Sequence, residues 1–558
     1  MLALMPFWDP LIPPMGISCL KSFLNRYGFS VKTADANTGK DFRTINDTYF
    51  ETLKESIPAE KRSNFYNIAG EVLRSHLLAH LHRQDEKSYA DAIKDVIFKH
   101  FYFKVGDNDV DRLNRIIQRF YEQLEAYVIE LLERERPGIF GLSVFGGTVA
   151  ASMFAFKLAK KHDPGIRTVM GGGIFSDQLA PDTPNFRHFL EKTPYIDTFI
   201  TCEGEILFLK YLRGELPGTQ KVFTLKDIPA EPLDISSLPT PDFSGLEVEY
   251  YPNLAVYTSR GCPYTCQFCS ETLRWGKYRK KNAARVREEM MNLYRQYDSQ
   301  LFLLTDSLLN PIAGDLAAAL RENSIPFYWD CYLRVDRQTC DSSTVTGWRR
   351  GGLYRARLGV ESGSQKVLDL MNKKISIQQV KDTLYNLAAA GIKTTTYWVI
   401  GYPGESGEDF QQTLELITGL ANEIYEAEYS SFTYFYSGQV NSNQWAQKRF
   451  PLYPEETGDM LVIRSWDLLE EPSREERFRR VNRFKEHCRT LGIPNPYSLY
   501  DINKADNRWK KLHKNAVPAA AEFRDSGTII QECRQVKQQN IAQFDECKIE
   551  FNFQGEKT

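Results

Sequence analysis

The 558-residue sequence predicts an α/β protein with two successive parallel strand–helix units. A helical block interrupts the first unit, and a charged helical region follows the second. Three observations carry this expectation. Short apolar runs alternate with helix-length segments in residues 2–34 and again in 139–201. Glycine clusters stand directly behind several of those runs. From Leu254 six further strand–helix repeats follow one another, the alternation of a parallel βα barrel.

The length suits two or three domains, and 42% apolar with 13% aromatic residues supplies more than one core. A net charge of −2 gives no general attraction for nucleic acid or an anionic membrane. Ten cysteines over such a length do not read as a disulfide framework; free thiols suit a reducing cytoplasm. Met1–Pro10 has no basic leader and is broken by Pro6, Asp9 and Pro10. With no apolar run of about 18 residues either, neither a signal peptide nor a membrane-spanning helix is expected.

Taken in order, residues 2–7 read as a strand, Met15–Tyr27 as a helix ended by Gly28, and Phe29–Ala34 as a second strand, together a βαβ unit. From about 46 to 136 the chain turns helical and charged. Its clearest segment starts at the capping pair Asn108-Asp109 and stops before Pro137, with Val110, Leu113, Ile116, Ile117, Phe120, Leu124, Tyr127, Val128, Leu131 and Leu132 on one face. His76, His80 and His82 in this block lie at helical spacing, but no carboxylate or Cys completes a metal set, and helix surfaces often carry such residues.

The α/β pattern resumes with the strand Ile139–Phe145, then Gly146-Gly147-Thr148 and a helix over about 149–161. The strand Thr168–Met170 runs into Gly171-Gly172-Gly173, and Thr198–Thr201 ends in Cys202-Glu203-Gly204-Glu205. Glycines at the carboxyl ends of parallel strands let a ligand approach the backbone, although such turns also serve as plain strand–helix connections. Residues 216–250 read as a linker, rich in turn formers over Ile235–Phe243. The later strands are expected at about 254–258, 301–305, 327–333, 354–360, 393–400 and 428–436. Beyond 440 the chain is helical and charged, with Arg474–His487 a solvated helix. Trp445, Trp466, Tyr497 and Tyr500 are cavity or core aromatics, and the last twenty residues are expected to be poorly ordered.

The stretch Tyr257–Glu271 contains Cys262, Cys266 and Cys269 in the spacing C-x3-C-x2-C. Three thiolates in one loop can hold three of the four irons of a cubane, leaving the fourth open to a small molecule. A structural zinc site would want a fourth ligand, and the next Cys and His are as far off as Cys331 and His188.

This motif, with Phe268 before its third Cys, resembles the signature of the radical S-adenosylmethionine (SAM) enzymes. The resemblance implies a [4Fe-4S] cluster on Cys262, Cys266 and Cys269, SAM on its open iron, and a 5′-deoxyadenosyl radical as the product of SAM cleavage. It also implies a partial barrel of six units. SAM contacts would come from Phe268, from Asp306 and Ser307 after the second strand, from Glu361 and Ser362 after the fourth, and from Gly401 and Tyr402 after the fifth. Asp306 alternatively reads as a turn or cap residue.

Residues 1–215 resemble the Rossmann-like cobalamin-binding domain found ahead of many radical SAM domains, with the helical insertion at about 46–136 as a departure. The resemblance implies cobalamin contacts at Ser143, Gly147, Thr148, Gly171, Gly172, Gly173 and Glu203. The Asp-x-His-x-x-Gly motif is missing and the loop Trp8–Gly16 has no His, so a protein His on cobalt is not expected. The division is then 1–215, linker 216–250, barrel 251–440 and helical region 441–558.

The implied protein is a cytoplasmic, cobalamin-dependent radical SAM methyltransferase. It would act on an unactivated carbon, or a phosphinate phosphorus, of a natural-product or peptide substrate, with flavodoxin or ferredoxin as electron donor. The competing readings are ring formation or rearrangement without methyl transfer, and a non-catalytic iron–sulfur or B12 sensor. The absence of a basic appendage argues against methylthiolation of tRNA. No general acid or base can be named.

Overall fold

Two six-stranded parallel sheets organise the computed structural model, which describes residues 1–8, 11–176, 178–227, 233–271, 275–495 and 499–513. The first sheet contains β1 Leu2–Leu4, β2 Thr33–Asp35, β3 Ile139–Ser143, β4 Arg167–Gly171, β5 Thr198–Ile200 and β6 Val222–Phe223. Its order is β2–β1–β3–β4–β5–β6, so the winding reverses at β1 and a crevice opens at the carboxyl ends of β1 and β3. β6 lies in the stretch expected as linker; it pairs with β5 through Phe199 and Val222 and extends the sheet.

Helices α1 Met15–Arg26, α2 Lys40–Ser56, α3 Phe65–His82, α4 Glu86–Phe101, α5 Asp107–Glu135, α6 Val149–His162, α7 Pro184–Lys192 and α8 Gly204–Arg213 surround this sheet. Strand alternation divides them between two cores. Leu2, Val169 and Ile200 pack with Ile17 and Leu24 of α1 and Leu207 of α8. Ala3, Phe140 and Leu142 pack against α5 and α6 on the other face. α5 is the crossover helix into β3, and α2–α4 form the inserted block. The expected stripe of α5 is buried except for Ile116 and Tyr127, which are partly so.

The inserted histidines differ from expectation. His76 is fully buried, with Nδ1 bonded to the Tyr49 hydroxyl at 2.9 Å and Nε2 to Tyr89 at 2.9 Å and Asn114 at 2.8 Å. Burial lowers its pKa to about 3, which keeps the ring neutral. His80 stacks on Tyr121 at 5.2 Å. These rings are core polar groups satisfied across the insertion.

The second sheet runs β14–β13–β12–β11–β10–β7, with β7 Leu254–Val256, β10 Leu301–Leu304, β11 Tyr328–Leu333, β12 Leu353–Glu361, β13 Lys393–Ile400 and β14 Glu426–Ser431. β8 Ser259–Arg260 and β9 Arg279–Lys280 form a separate hairpin, and β15 Arg449–Pro451 pairs with β16 Trp466–Leu468. Each large strand pairs in parallel with its successor, an unclosed βα barrel. One side chain parity packs outward, as with Trp329, Cys331, Leu358, Trp398 and Ala427. The other parity is polar: Arg357 donates to Asp330 at 2.6–3.0 Å and to the Tyr397 hydroxyl at 3.2 Å.

The C-terminal helices seal this unit. Helix Arg474–Thr490 lays Phe484 on Trp398 and Tyr429. Asp506 of helix Leu499–Leu512 pairs with Lys393 at 2.5 Å and accepts from Tyr425 at 2.8 Å, at the amino ends of β13 and β14. Tyr497, the Tyr500 side chain and the last twenty residues lie outside the described residues. Among those described, no helix is long and apolar enough to cross a membrane.

Candidate active site

The cysteine loop grows from the carboxyl end of β7 through the hairpin β8–β9. Asp306, which follows β10, fixes its start. Its Oδ1 accepts from the backbone N–H of Thr258 at 2.7 Å, from that of Ser259, and from the Ser259 hydroxyl at 2.9 Å. Burial pushes the Asp306 pKa up to about 6, and the hydrogen bonds from Ser259 and Thr258 oppose the shift. Oδ1 of Asp306 thus fixes the loop's backbone, while its Oδ2 is buried with no hydrogen-bond partner among the described residues. Gly261 has φ +81°, and a Cβ there would meet the Gly276 carbonyl at 3.2 Å, so the turn into Cys262 requires glycine.

Cys262, Cys266 and Cys269 are free thiols, and the N–H of Cys269 closes on the Cys266 carbonyl at 3.1 Å. Burial pushes the Cys269 thiol up to about 11, with the neighbouring Glu271, Cys266 and Cys262 adding to it. Arg334, just past β11, donates from Nη1 to Cys266 Sγ at 3.4 Å, and its guanidinium lies over Tyr264 at 4.0 Å. Its Nη2 is buried with no hydrogen-bond partner among the described residues. A spare buried cation donor beside three thiols fits an anionic group held by thiolates. Three free thiols on one loop are the donor set of a polynuclear iron–sulfur group.

Two segments strap the loop. Gln267 N–H donates to the Met371 carbonyl at 3.0 Å, and Asn372 Nδ2 to that of Thr265 at 3.0 Å. From beyond β14, Gln439 Nε2 donates to the Phe268 carbonyl at 3.1 Å, and the N–H groups of Val440 and Asn441 reach the carbonyls of Cys269 at 3.3 Å and Gln267 at 3.1 Å.

The residues expected around SAM divide in two. Glu361 ends β12 at φ +70° and pairs with Lys373 at 2.6 Å; the ammonium of Lys373 lies 5.6 Å from the Phe268 ring. A left-handed, non-glycine residue at a strand end is strained, a cost met where function or packing fixes it. Phe268 also packs against the cluster of Tyr402, Phe432, Tyr434 and Trp445. Phe268, Glu361 and Tyr402 therefore form one wall of the cysteine loop. Ser362 instead bonds Thr413 at 3.3 Å and the Ser364 N–H at 3.1 Å, and Ser307 donates to Glu271 at 2.5 Å. Gly401, at φ +78°, has no room for a side chain because a Cβ would meet Arg477 Cγ at 2.2 Å; its N–H donates to Glu405 at 2.9 Å. Arg334 and Lys373 were missed in the sequence; Arg334's position just past a strand was the one available signal.

At the first sheet, Ser143, Gly147, Thr148 and Gly171–Gly173 meet at the carboxyl ends of β3 and β4, but several are already occupied. A Cβ on Gly147 would lie 2.6 Å from the Phe7 carbonyl, and one on Gly172, at φ +111°, 2.4 Å from the Val144 nitrogen. These glycines admit neighbouring backbone. Thr148 Oγ1 accepts from its own turn, from Phe145 N–H at 3.0 Å. Glu203 takes no part in that group: it accepts from Arg279 Nη1 at 3.0 Å and faces Arg260 at 3.5 Å, while Glu205 accepts from Arg260 Nη1 at 3.2 Å. The carboxyl end of β5 is thus ion-paired to the hairpin that carries the cysteine loop.

Residues 256–417 match the Radical SAM superfamily model. Over 324 residues the chain is 27% identical to the anaerobic magnesium-protoporphyrin IX monomethyl ester cyclase of Rubrivivax gelatinosus, a match covering 52% of this chain and 56% of that protein. It is 25% identical over 343 residues to an uncharacterized methyltransferase of Pyrococcus horikoshii, covering 57% of this chain and 71% of that one. The chain therefore spans little more than half the length of the first of these relatives. In fold it is similar to the radical S-adenosylmethionine methyltransferase TsrM from Kitasatospora setae, solved with cobalamin and a [4Fe-4S] cluster. The TM-score is 0.59 at 13% identity, over 96% of this chain and 99% of that one.

Proposed function

We propose that this chain, which carries a radical SAM domain at residues 256–417, is a cobalamin-dependent methyltransferase acting on an unactivated carbon of a small organic or peptide substrate. The observation that carries the reading is the junction of two parallel sheets at their carboxyl ends, with Glu203 and Glu205 behind β5 paired to Arg279 and Arg260 of the cysteine-loop hairpin. Such edges are where open α/β sheets and βα barrels bind ligands.

In this reading the first domain runs through β6 to about 223, a linker follows to 250, and the barrel and the helical region are 251–440 and 441–558. Cys262, Cys266 and Cys269 hold a [4Fe-4S] cluster, and Arg334 offsets its negative charge. Asp306 positions the loop without touching the reacting atoms. Phe268 and Tyr402 keep water from the wall beside it, and Glu361 with Lys373 offers SAM a paired charge at the strand end. Ser143, Gly171 and Gly173 provide an edge for cobalamin. When bound, the cluster with SAM supplies a carbon-centred radical, and cobalamin supplies the methyl group. A flavodoxin- or ferredoxin-like donor in a reducing compartment completes the requirements.

The cyclase relative favours a second reading, ring formation with the same cofactors and no methyl transfer. Anaerobic turnover with methyl-labelled SAM, a reductant and a small-molecule extract of the source organism separates the two. Methyl transfer yields about one S-adenosylhomocysteine per 5′-deoxyadenosine and a product carrying the label. Deoxyadenosine formed with consumption of a substrate, but without S-adenosylhomocysteine or label transfer, would leave the cyclase reading.

Cobalamin binding has its own test. None of the chain's eight histidines lies in the loops 5–16, 143–148, 171–176 or 201–204. Electron paramagnetic resonance of added cob(II)alamin is therefore expected to lack axial nitrogen splitting from a protein His. Splitting that changes on labelling the protein's histidines with nitrogen-15 would refute this.

A further inference from the structure

A cavity of about 460 Å³ lies where the inserted helices, the segment after β14 and the C-terminal strands meet. None of the motifs in the cysteine loop builds it. Its walls come from α3 and the end of α4, from Ser430–Tyr436, and from Leu452 and Ile463–Trp466. The volume is that of a small organic ligand.

The polar lining has a bias. Its charged residues are Arg74, Lys99, Arg464, Arg474 and one acid, Glu71. Glu71 is taken by Arg74 at 3.1 Å, Arg464 pairs with Asp459 at 2.5 Å, and Arg474 reaches Asp467 only at 3.9 Å. Lys99 has no side-chain ion pair among the described residues. Two residues of the lining also carry an unspent donor: Trp466 Nε1 and Arg464 Nε are buried without a hydrogen-bond partner among the described residues. Both groups can only donate, so the missing partner is an acceptor. His100, also in the lining, is held neutral by burial, its pKa lowered to about 3, and does not add to the charge.

The apolar lining is aromatic. Phe432 and Tyr434 belong both to this cavity and to the cluster of rings that contacts Phe268 of the cysteine loop, and Trp466 packs against that cluster. One aromatic layer therefore adjoins the cavity and the cysteine loop. Ring faces at such a wall favour a flat apolar body, stacked or edge-on.

We propose that this cavity docks the substrate and takes a planar aromatic molecule bearing a carboxylate, with the anion toward Lys99, Arg464 and Trp466 and the ring toward Phe432 and Tyr434. This assignment rests on the radical SAM reading only for the word substrate; the binding itself is independent of it. The inserted helices then have a role in selectivity, since α3 and α4 contribute Asn67, Glu71, Arg74, Lys99 and His100 to the polar wall.

The test is saturation-transfer NMR on the full, anaerobically purified chain without SAM, with naphthalene-2-carboxylate and its carboxamide as probes. The carboxylate is expected to bind at least tenfold more tightly than the carboxamide. Lys99→Gln and Trp466→Phe should each weaken the carboxylate about three- to tenfold and leave the carboxamide unchanged. Equal binding of the two probes, no binding of either, or insensitivity to both substitutions would overturn the assignment. So would displacement of the carboxylate by stoichiometric hydroxocobalamin, which would make the cavity part of the cobalamin site. Deoxyadenosine formation from SAM, assayed on the parent chain alone, is read separately. Its absence with probe binding intact counts against the radical reading, and its presence without probe binding counts against the cavity.

Discussion

Replacing Cys262, Cys266 and Cys269 together with alanine is expected to remove all bound iron and sulfide from anaerobically purified protein and to abolish 5′-deoxyadenosine formation from SAM. The expectation follows from local geometry. The three thiols lie in one loop, and each of the other two adds to the upward shift of Cys269. Arg334 Nη1 already donates to Cys266, leaving Nη2 buried and unspent among the described residues. Removing the thiols leaves the loop's backbone straps intact, because these run from Met371, Asn372 and Gln439–Asn441 to main-chain atoms. The variant should therefore fold, and its loss of iron can be read directly. Cys340→Ala is the control: that thiol contacts Gln379 and Thr383 at 3.6 Å, behind the barrel, and should keep its full complement of iron. Iron and sulfide retained in the triple variant would rule out the assignment.

What the sequence made legible was whatever is local or periodic. The C-x3-C-x2-C loop needs no distant residue to be recognised. The six barrel strands follow from apolar runs bounded by turns, and the capping pair at α5 places that helix within one residue. Pairings across the chain leave no such trace. Glu203 read as a ligand contact because an acid at a strand end suits one; its partner Arg279 is 76 residues away. Gly147 and Gly172 were expected to make room for a ligand, yet they make room for Phe7 and Val144. A glycine signals close approach without saying of what. His76 resembled a helix-surface residue because its partners Tyr49, Tyr89 and Asn114 come from three other segments of the insertion.

The junction between the sheets predicts the second large effect. Arg260 stands two residues before Cys262 and is 8% exposed, while Glu203 and Glu205 are 7% and 4% exposed. Burial alone would raise the Glu205 pKa, but the Arg260 guanidinium outweighs it and holds the carboxyl below its ordinary range. Its contribution to stability is then complete above about pH 4.3, the ordinary Glu value, and is lost as pH falls through the lower folded value. At neutral pH, Arg260→Met leaves Glu205 buried without its guanidinium partner, a loss of about 3–5 kcal/mol for breaking a buried pair. Glu205→Leu added to Arg260→Met should restore part of that loss, because an apolar pair avoids the desolvation that an isolated carboxylate must bear. The measurement is the urea midpoint of the first unfolding transition, with iron content alongside it, since a chain of several domains need not unfold in one step. The single variant should unfold at lower urea and lose iron, and the double variant should recover on both counts. A single variant as stable as the parent would mean that this cluster of charges does not join the two sheets.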